Sequence, residues 1–135
     1  MSNQQQTKQH CFHTLQHDDL NQLVEKVVSQ LSSVEFDRLA CIDLLPLALT
    51  SLVSIALDKP FVIIRKQVKG YGTNNAVEGK INSGDKLALL TFDFDSATQD
   101  IIKRLEAESY QIQGAITFQE ESFPTDLSFN VNYID

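Results

Sequence analysis

Three cations stand close together in the run Arg65-Lys66-Gln67-Val68-Lys69, and Gly70, Tyr71 and Gly72 follow at once. Guanidinium and ammonium groups on a glycine-bearing loop, where backbone N–H groups can also turn inward, make a clamp for a polyphosphate. The bland reading of the same residues is a solvated basic loop. A second polar set lies downstream in Phe92-Asp93-Phe94-Asp95-Ser96-Ala97-Thr98. Its two carboxylates fit the end of a strand, and the hydroxyls of Ser96 and Thr98 can serve a ligand or cap a helix. A third set, His10, Cys11, His13 and His17, holds metal-type donors. His13 and His17 would share one helix face and could take zinc or nickel. The Gln-rich surroundings favour a polar tail, and no metal site is expected.

The elements that must position these groups are readable from periodicity. Asp18 and Asp19 precede Leu20, Leu23, Val24, Val27, Val28 and Leu31, which predicts a helix near 18–32. Arg38 to Ile42 reads as a buried strand. Leu44 to Leu57 reads as a helix on a sheet, with Pro46 in its first turn. Phe61 to Ile64 and Leu87 to Phe92 read as strands on either side of the cationic loop. Asn82-Ser83-Gly84-Asp85 is a turn signal. Ser96 to Ser109 carries an apolar stripe of Ile101, Ile102 and Leu105 and reads as a helix. Ile112 to Phe118 is a further strand, Gln119 to Asp126 a polar loop, and Leu127 to Tyr133 a final half-exposed strand. Strand and helix alternate from Arg38 to Phe118, the pattern of an α/β fold with a mostly parallel sheet. Residues 1–16 are expected to be a flexible Gln- and His-rich tail, and residues 17–135 a single domain.

Composition narrows the function classes. The 135 residues are 42% apolar, ordinary for a globular domain, and carry a formal net charge of −7. That charge argues against nucleic acid as the main partner, because phosphate neutralisation needs a basic surface. There is no Trp to serve as a stacking platform. Cys11 and Cys41 make no disulfide framework, and Cys41 in its apolar run reads as a reduced core thiol. The apolar stretch Leu44 to Leu57 is interrupted by Pro46, Thr50, Ser51 and Ser54, so no membrane span is expected. The N-terminus has no hydrophobic signal region, and the expected location is the cytoplasm.

The segment Pro60 to Asp85 resembles the orotate phosphoribosyltransferases, including the transferase half of UMP synthase. Those proteins carry the pattern Arg-Lys-x-x-Lys-x-His/Tyr-Gly on a mobile catalytic loop between two strands, and Arg65, Lys66, Lys69, Tyr71 and Gly72 match it in order and spacing. The resemblance extends over about Phe36 to Phe118. It implies a phosphoribosyltransferase-like α/β fold with a flexible basic loop, in which Arg65, Lys66, Lys69 and Tyr71 handle phosphate and Lys69 is the catalytic residue. It also implies phosphoribosyl pyrophosphate (PRPP) as substrate, with Mg2+ only if PRPP is bound, and a homodimer whose basic loop reaches the neighbouring subunit.

Other parts of the chain depart from the family's pattern. Where a glycine-containing turn should approach pyrophosphate, this chain has Cys41-Ile42-Asp43-Leu44-Leu45-Pro46. The family's ribose-phosphate motif is an acidic pair followed by a Thr/Ser/Gly loop at a helix N-terminus. Here Asp93, Asp95, Ser96 and Thr98 form a degenerate version, with no glycine between Gly84 and Gly114. The family's orotate-holding arginine is replaced by Gln119-Glu120-Glu121, and no arginine follows Arg104. The expected function is a catalytically inactive member that acts as a binding, regulatory or partner subunit linked to nucleotide metabolism. Such a subunit could form a mixed dimer with an intact transferase. The alternative is an active PRPP-dependent transferase for orotate or another acceptor. Phe92-Asp93-Phe94-Asp95 also resembles the first motif of haloacid-dehalogenase-type phosphatases, but Ala97 stands where that motif needs threonine.

Overall fold

Two strands at the middle of the sheet have apolar residues on both faces, and the architecture follows from covering them. A computed structural model of the protein describes residues 17–66, 77–119 and 126–134. The elements run α1 His17–Leu31, β1 Arg38–Ile42, α2 Leu47–Leu57, β2 Phe61–Ile64, β3 Val77–Glu78, β4 Lys86–Thr91, α3 Ser96–Ala107, β5 Gln111–Thr117 and β6 Asn130–Tyr133. The strands form one sheet in the order β3-β2-β1-β4-β5-β6. Only the β2–β3 pair is antiparallel. The fold is thus the α/β architecture expected from the sequence, with a mostly parallel central sheet flanked by helices.

Side chains of the central strands alternate between the two faces of the sheet as the pleat requires, and both faces are buried. Leu39, Ala88 and Leu90 point to one face, where Val27 and Leu31 of α1 and Leu49 and Val53 of α2 cover them. Ala40, Ile42, Leu87 and Leu89 point to the other, where Ile101, Ile102 and Leu105 of α3 cover them. A parallel sheet closed on both faces explains the near-continuous apolar runs.

Three element boundaries differ from the sequence reading by two residues or more. The second helix starts at Leu47 rather than Leu44, because Asp43 adopts a left-handed conformation (φ 63°) and Pro46 takes the cap position. The third helix stops at Ala107, where Ser109 turns left-handed (φ 75°). The last strand pairs only over Asn130–Tyr133, parallel to β5. The two-residue strand β3 is an addition that no periodicity could announce. The tail residues 1–16, and with them His10, Cys11 and His13, lie outside the described residues, as do Lys69 and Tyr71.

From β3, at one edge, the chain must reach β4, two strands beyond β2. It does so along the N-terminal edge of the sheet. Gly79 makes this passage possible: its φ is 109°, and a Cβ there would lie 3.2 Å from Val62 Cγ1. The expected turn follows, with Gly84 at φ 81° and Asp85 N–H donating to Asn82 O at 3.1 Å. Asp85 then anchors the crossing, accepting from Arg38 Nε at 2.7 Å and from Asn82 N–H at 2.8 Å. Burial opposes its charge, but those two donors outweigh it and hold the Asp85 carboxyl below its ordinary value.

Replacing Asp85 by Ala removes both bonds and leaves the guanidinium of Arg38, 16% exposed, without this partner. Asp85→Ala should lower unfolding free energy by about 2 kcal/mol in urea titrations. A loss below about 0.5 kcal/mol, the range of a neutral surface substitution, would contradict that anchoring role.

Candidate functional site

The chain leaves β1 by α2 to reach β2 on one side, and leaves β4 by α3 to reach β5 on the other. The crevice beyond the C-terminal ends of β1 and β4 is therefore the switch point of the sheet, where open α/β sheets place ligands. Four carboxylates and two cations converge there.

At the end of β1, Asp43 N–H donates to Ile64 O at 2.7 Å, which ties the left-handed turn to β2. Its carboxylate lies 3.4 Å from Arg65 Nε, and Arg65 Nη1 lies 3.7 Å from Glu78 of β3. Arg65 Nε is shielded from water yet makes no aligned hydrogen bond, so its link to Asp43 is coulombic. Beneath it, Cys41 is fully buried, and burial pushes its thiol up to about 11 against a lowering contact with Thr50. That thiol is inert at neutral pH.

Lys66, one residue on, reaches over the end of β1 to the far strand. Its Nζ donates to Asp93 Oδ1 at 2.9 Å and to Asp95 Oδ2 at 3.1 Å. Burial disfavours the ammonium, but the hydrogen bonds and charges of the two aspartates outweigh it and raise the Lys66 pKa above 10.5. Asp95 is also the N-cap of α3, with Oδ1 accepting from Thr98 N–H at 2.9 Å. Burial again works against its charge, and the Thr98 N–H together with Lys66 brings the Asp95 carboxyl below its usual value.

The loop between β4 and α3 is shaped from below. Phe92 keeps the alternation of β4 and buries with α1 and α2, whereas Phe94 has crossed to the α3 side and is 2% exposed. The two rings anchor the loop on opposite cores and leave Asp93 and Asp95 at its surface. Its polar groups satisfy one another: Thr91 Oγ1 and Thr98 Oγ1 donate to Asp93 O at 2.6 and 3.3 Å, and Gln99 Nε2 donates to Phe94 O at 3.2 Å. Ser96 opens α3 and is exposed.

An orotate phosphoribosyltransferase from Thermococcus gammatolerans is 39% identical over 61 residues, 45% of this chain and 32% of that protein. One from Archaeoglobus fulgidus is 28% identical over 109 residues, 78% of this chain and 61% of the relative. Among solved structures, the orotate phosphoribosyltransferase of Francisella tularensis aligns with a TM-score of 0.63 at 17% identity, covering 88% of this chain and 67% of that one. No protein-family model matches the chain. The sequence matches run over 61 and 109 residues, and the structural match covers 88% of the chain.

The chain is similar in sequence to orotate phosphoribosyltransferases and shares the fold of solved phosphoribosyltransferases. The matches span 32% and 61% of the length of those two curated relatives. The structure brings together Lys66, Asp93, Asp95 and Thr98 from the residues singled out in the sequence. It adds Asp43 and Glu78 as partners of Arg65, which sequence reasoning missed. The available signal was Asp43 itself, a charged residue within the stretch Cys41 to Pro46 that stands in place of a glycine-containing turn. Among the described residues no helix is long and apolar enough to cross a membrane, and no three His, Cys, Asp or Glu side chains are placed so as to hold one metal ion.

The two shifted groups set a pH dependence. Asp95 is lowered, so its stabilisation is full above the unfolded value of about 3.9 and is lost as pH falls through the folded value. Lys66 is raised, so its stabilisation is full below about 10.4 and is lost as pH rises through the folded value. Lys66→Met should shrink the alkaline loss and part of the acid loss in urea midpoints measured across pH. An alkaline limb identical to wild type would contradict the pairing.

Proposed function

We propose that this chain is a non-catalytic phosphoribosyltransferase-family protein, a binding, regulatory or partner subunit linked to nucleotide metabolism. One observation carries the reading. The acidic pair and helix N-terminus that the family pattern assigns to ribose phosphate are occupied by the chain's own groups. Lys66 holds one oxygen of each aspartate, and the Asp95 carboxylate sits on Thr98 N–H, where a phosphate would otherwise seek donors. A fixed carboxylate at that place repels an incoming phosphate. Asp43 gives the pyrophosphate side of the crevice a negative group as well, although it is partly neutralised by Arg65. The sequence adds Glu120 and Glu121 where an orotate carboxylate would need a cation.

Magnesium would enter this site only together with PRPP. Aspartate oxygens are the right donors for it. Three of the four oxygens of Asp93 and Asp95 already accept hydrogen bonds, from Lys66 twice and from Thr98. The residues as arranged do not fit the ion.

The full chain with orotate, PRPP and Mg2+ should therefore form no orotidine monophosphate above a no-enzyme control, and calorimetry should show no PRPP binding. Removing oxyanion donors slows such chemistry about 10²–10³-fold each. Turnover that disappears in Lys69→Ala would establish the alternative, an active transferase.

The partner role has a surface to work with. Leu52 and Ile55 of α2 are 38% and 78% exposed and, three positions apart, share one side of the helix, and Leu44 in the turn before it is 44% exposed. We infer a homodimer through this stripe, with a mixed dimer with an intact transferase as the variant of the same contact. Sedimentation should show a dimer at micromolar concentration that weakens in Ile55→Glu. A monomer in the wild type would overturn the inference.

A further inference from the structure

We propose that Lys66 is a built-in cation standing where a divalent metal would otherwise meet the acidic pair, so that Asp93 and Asp95 are closed to metal by the chain itself. This rests on the reading above that Asp93 and Asp95 are the family's acidic pair.

Geometry supports the substitution of one cation for another. The ammonium lies 2.9 and 3.1 Å from one oxygen of each carboxylate, a bridging position between them. A hard divalent ion would need the same oxygens at about 2.1 Å, so the two cations exclude each other. The Lys66 side chain is 17% exposed against 32% and 43% for Asp93 and Asp95. Lys66 is thus the most shielded of the three side chains. The pair also has little freedom to turn toward an ion arriving from solvent. The second oxygen of Asp95 is bound to Thr98 N–H, and Asp93 O accepts from the hydroxyls of both Thr91 and Thr98. Phe94, buried between the two aspartates in sequence, fixes the loop from below. On the other side, Lys66 stands two residues beyond the end of β2, whose pairing with β1 keeps its backbone in reach.

A site whose open form is scarce binds in proportion to that scarcity. Removing the ammonium should therefore uncover an affinity that the wild type lacks. The test is a Mn2+ titration of the full chain followed by electron paramagnetic resonance. Lys66→Met should bind Mn2+ at least tenfold more tightly than wild type. Asp93→Asn in that background should remove the gain, and Lys66→Arg, which keeps the positive charge, should behave as wild type. Circular dichroism checks that each variant is folded. If Lys66→Met is not, Lys66→Gln, uncharged but still a donor, should show the same gain. Wild type binding Mn2+ as tightly as Lys66→Met, or no gain in either uncharged variant, would overturn the proposal. Orotate turnover by wild type would instead sink the non-catalytic reading and leave this comparison standing.

Discussion

The ammonium of Lys66 spans the switch point of the sheet, and the rest of the site is arranged around that contact. It starts from the end of β2, passes over β1 and ends on the loop after β4. Alternate strands lie about 10 Å apart, so only a long side chain can make this link. The contact therefore joins the half of the sheet built through α2 to the half built through α3. It also fixes the charge of the crevice, because two carboxylates at this spacing would repel each other without a cation between them.

Such a contact is better at specifying an arrangement than at stabilising a fold. Desolvation of Lys66 opposes much of the coulombic gain, and Asp95 is exposed enough for solvent to screen it. The stability of the domain comes from elsewhere: the two apolar faces of β1 and β4, and the Arg38–Asp85 anchor at the opposite edge. That division lets the C-terminal edge change its chemistry while the sheet remains intact. Asp43 illustrates the point. The backbone keeps a left-handed turn after β1, but with a side chain that faces Arg65 where glycine would leave room for a ligand.

Much of the fold was legible because each helix and long strand carried its own period. Leu20 to Leu31, the Ile101–Leu105 stripe and the Leu87–Leu90 run each name their element without reference to anything distant. The family resemblance was legible from Arg65 to Gly72, since order and spacing alone define that pattern. β3 was not, being two residues long and held by pairing to Ile63 and Ile64 rather than by propensity. The start of α2 was hidden by the apolar Leu44 and Leu45, which extend the periodic run past the left-handed turn. The core of the site escaped for a different reason. Lys66 and Asp93 are 27 positions apart and meet only through the strand order β2-β1-β4. Sequence suggested a cationic clamp and a displaced acidic pair as separate features, and nothing local could show that they neutralise each other.

The central claim is that Lys66 holds the acidic pair closed, and the ionisation of Asp95 reports on it directly. A carbon-detected NMR titration of the side-chain carboxyls, in wild type and in Lys66→Met, measures it residue by residue. The account predicts that Asp95 titrates below the ordinary aspartate value in the wild type and moves up when the ammonium is removed, with the Thr98 cap retaining part of the depression. An Asp95 that titrates at its ordinary value in the wild type, or one that is unmoved by Lys66→Met, would contradict it.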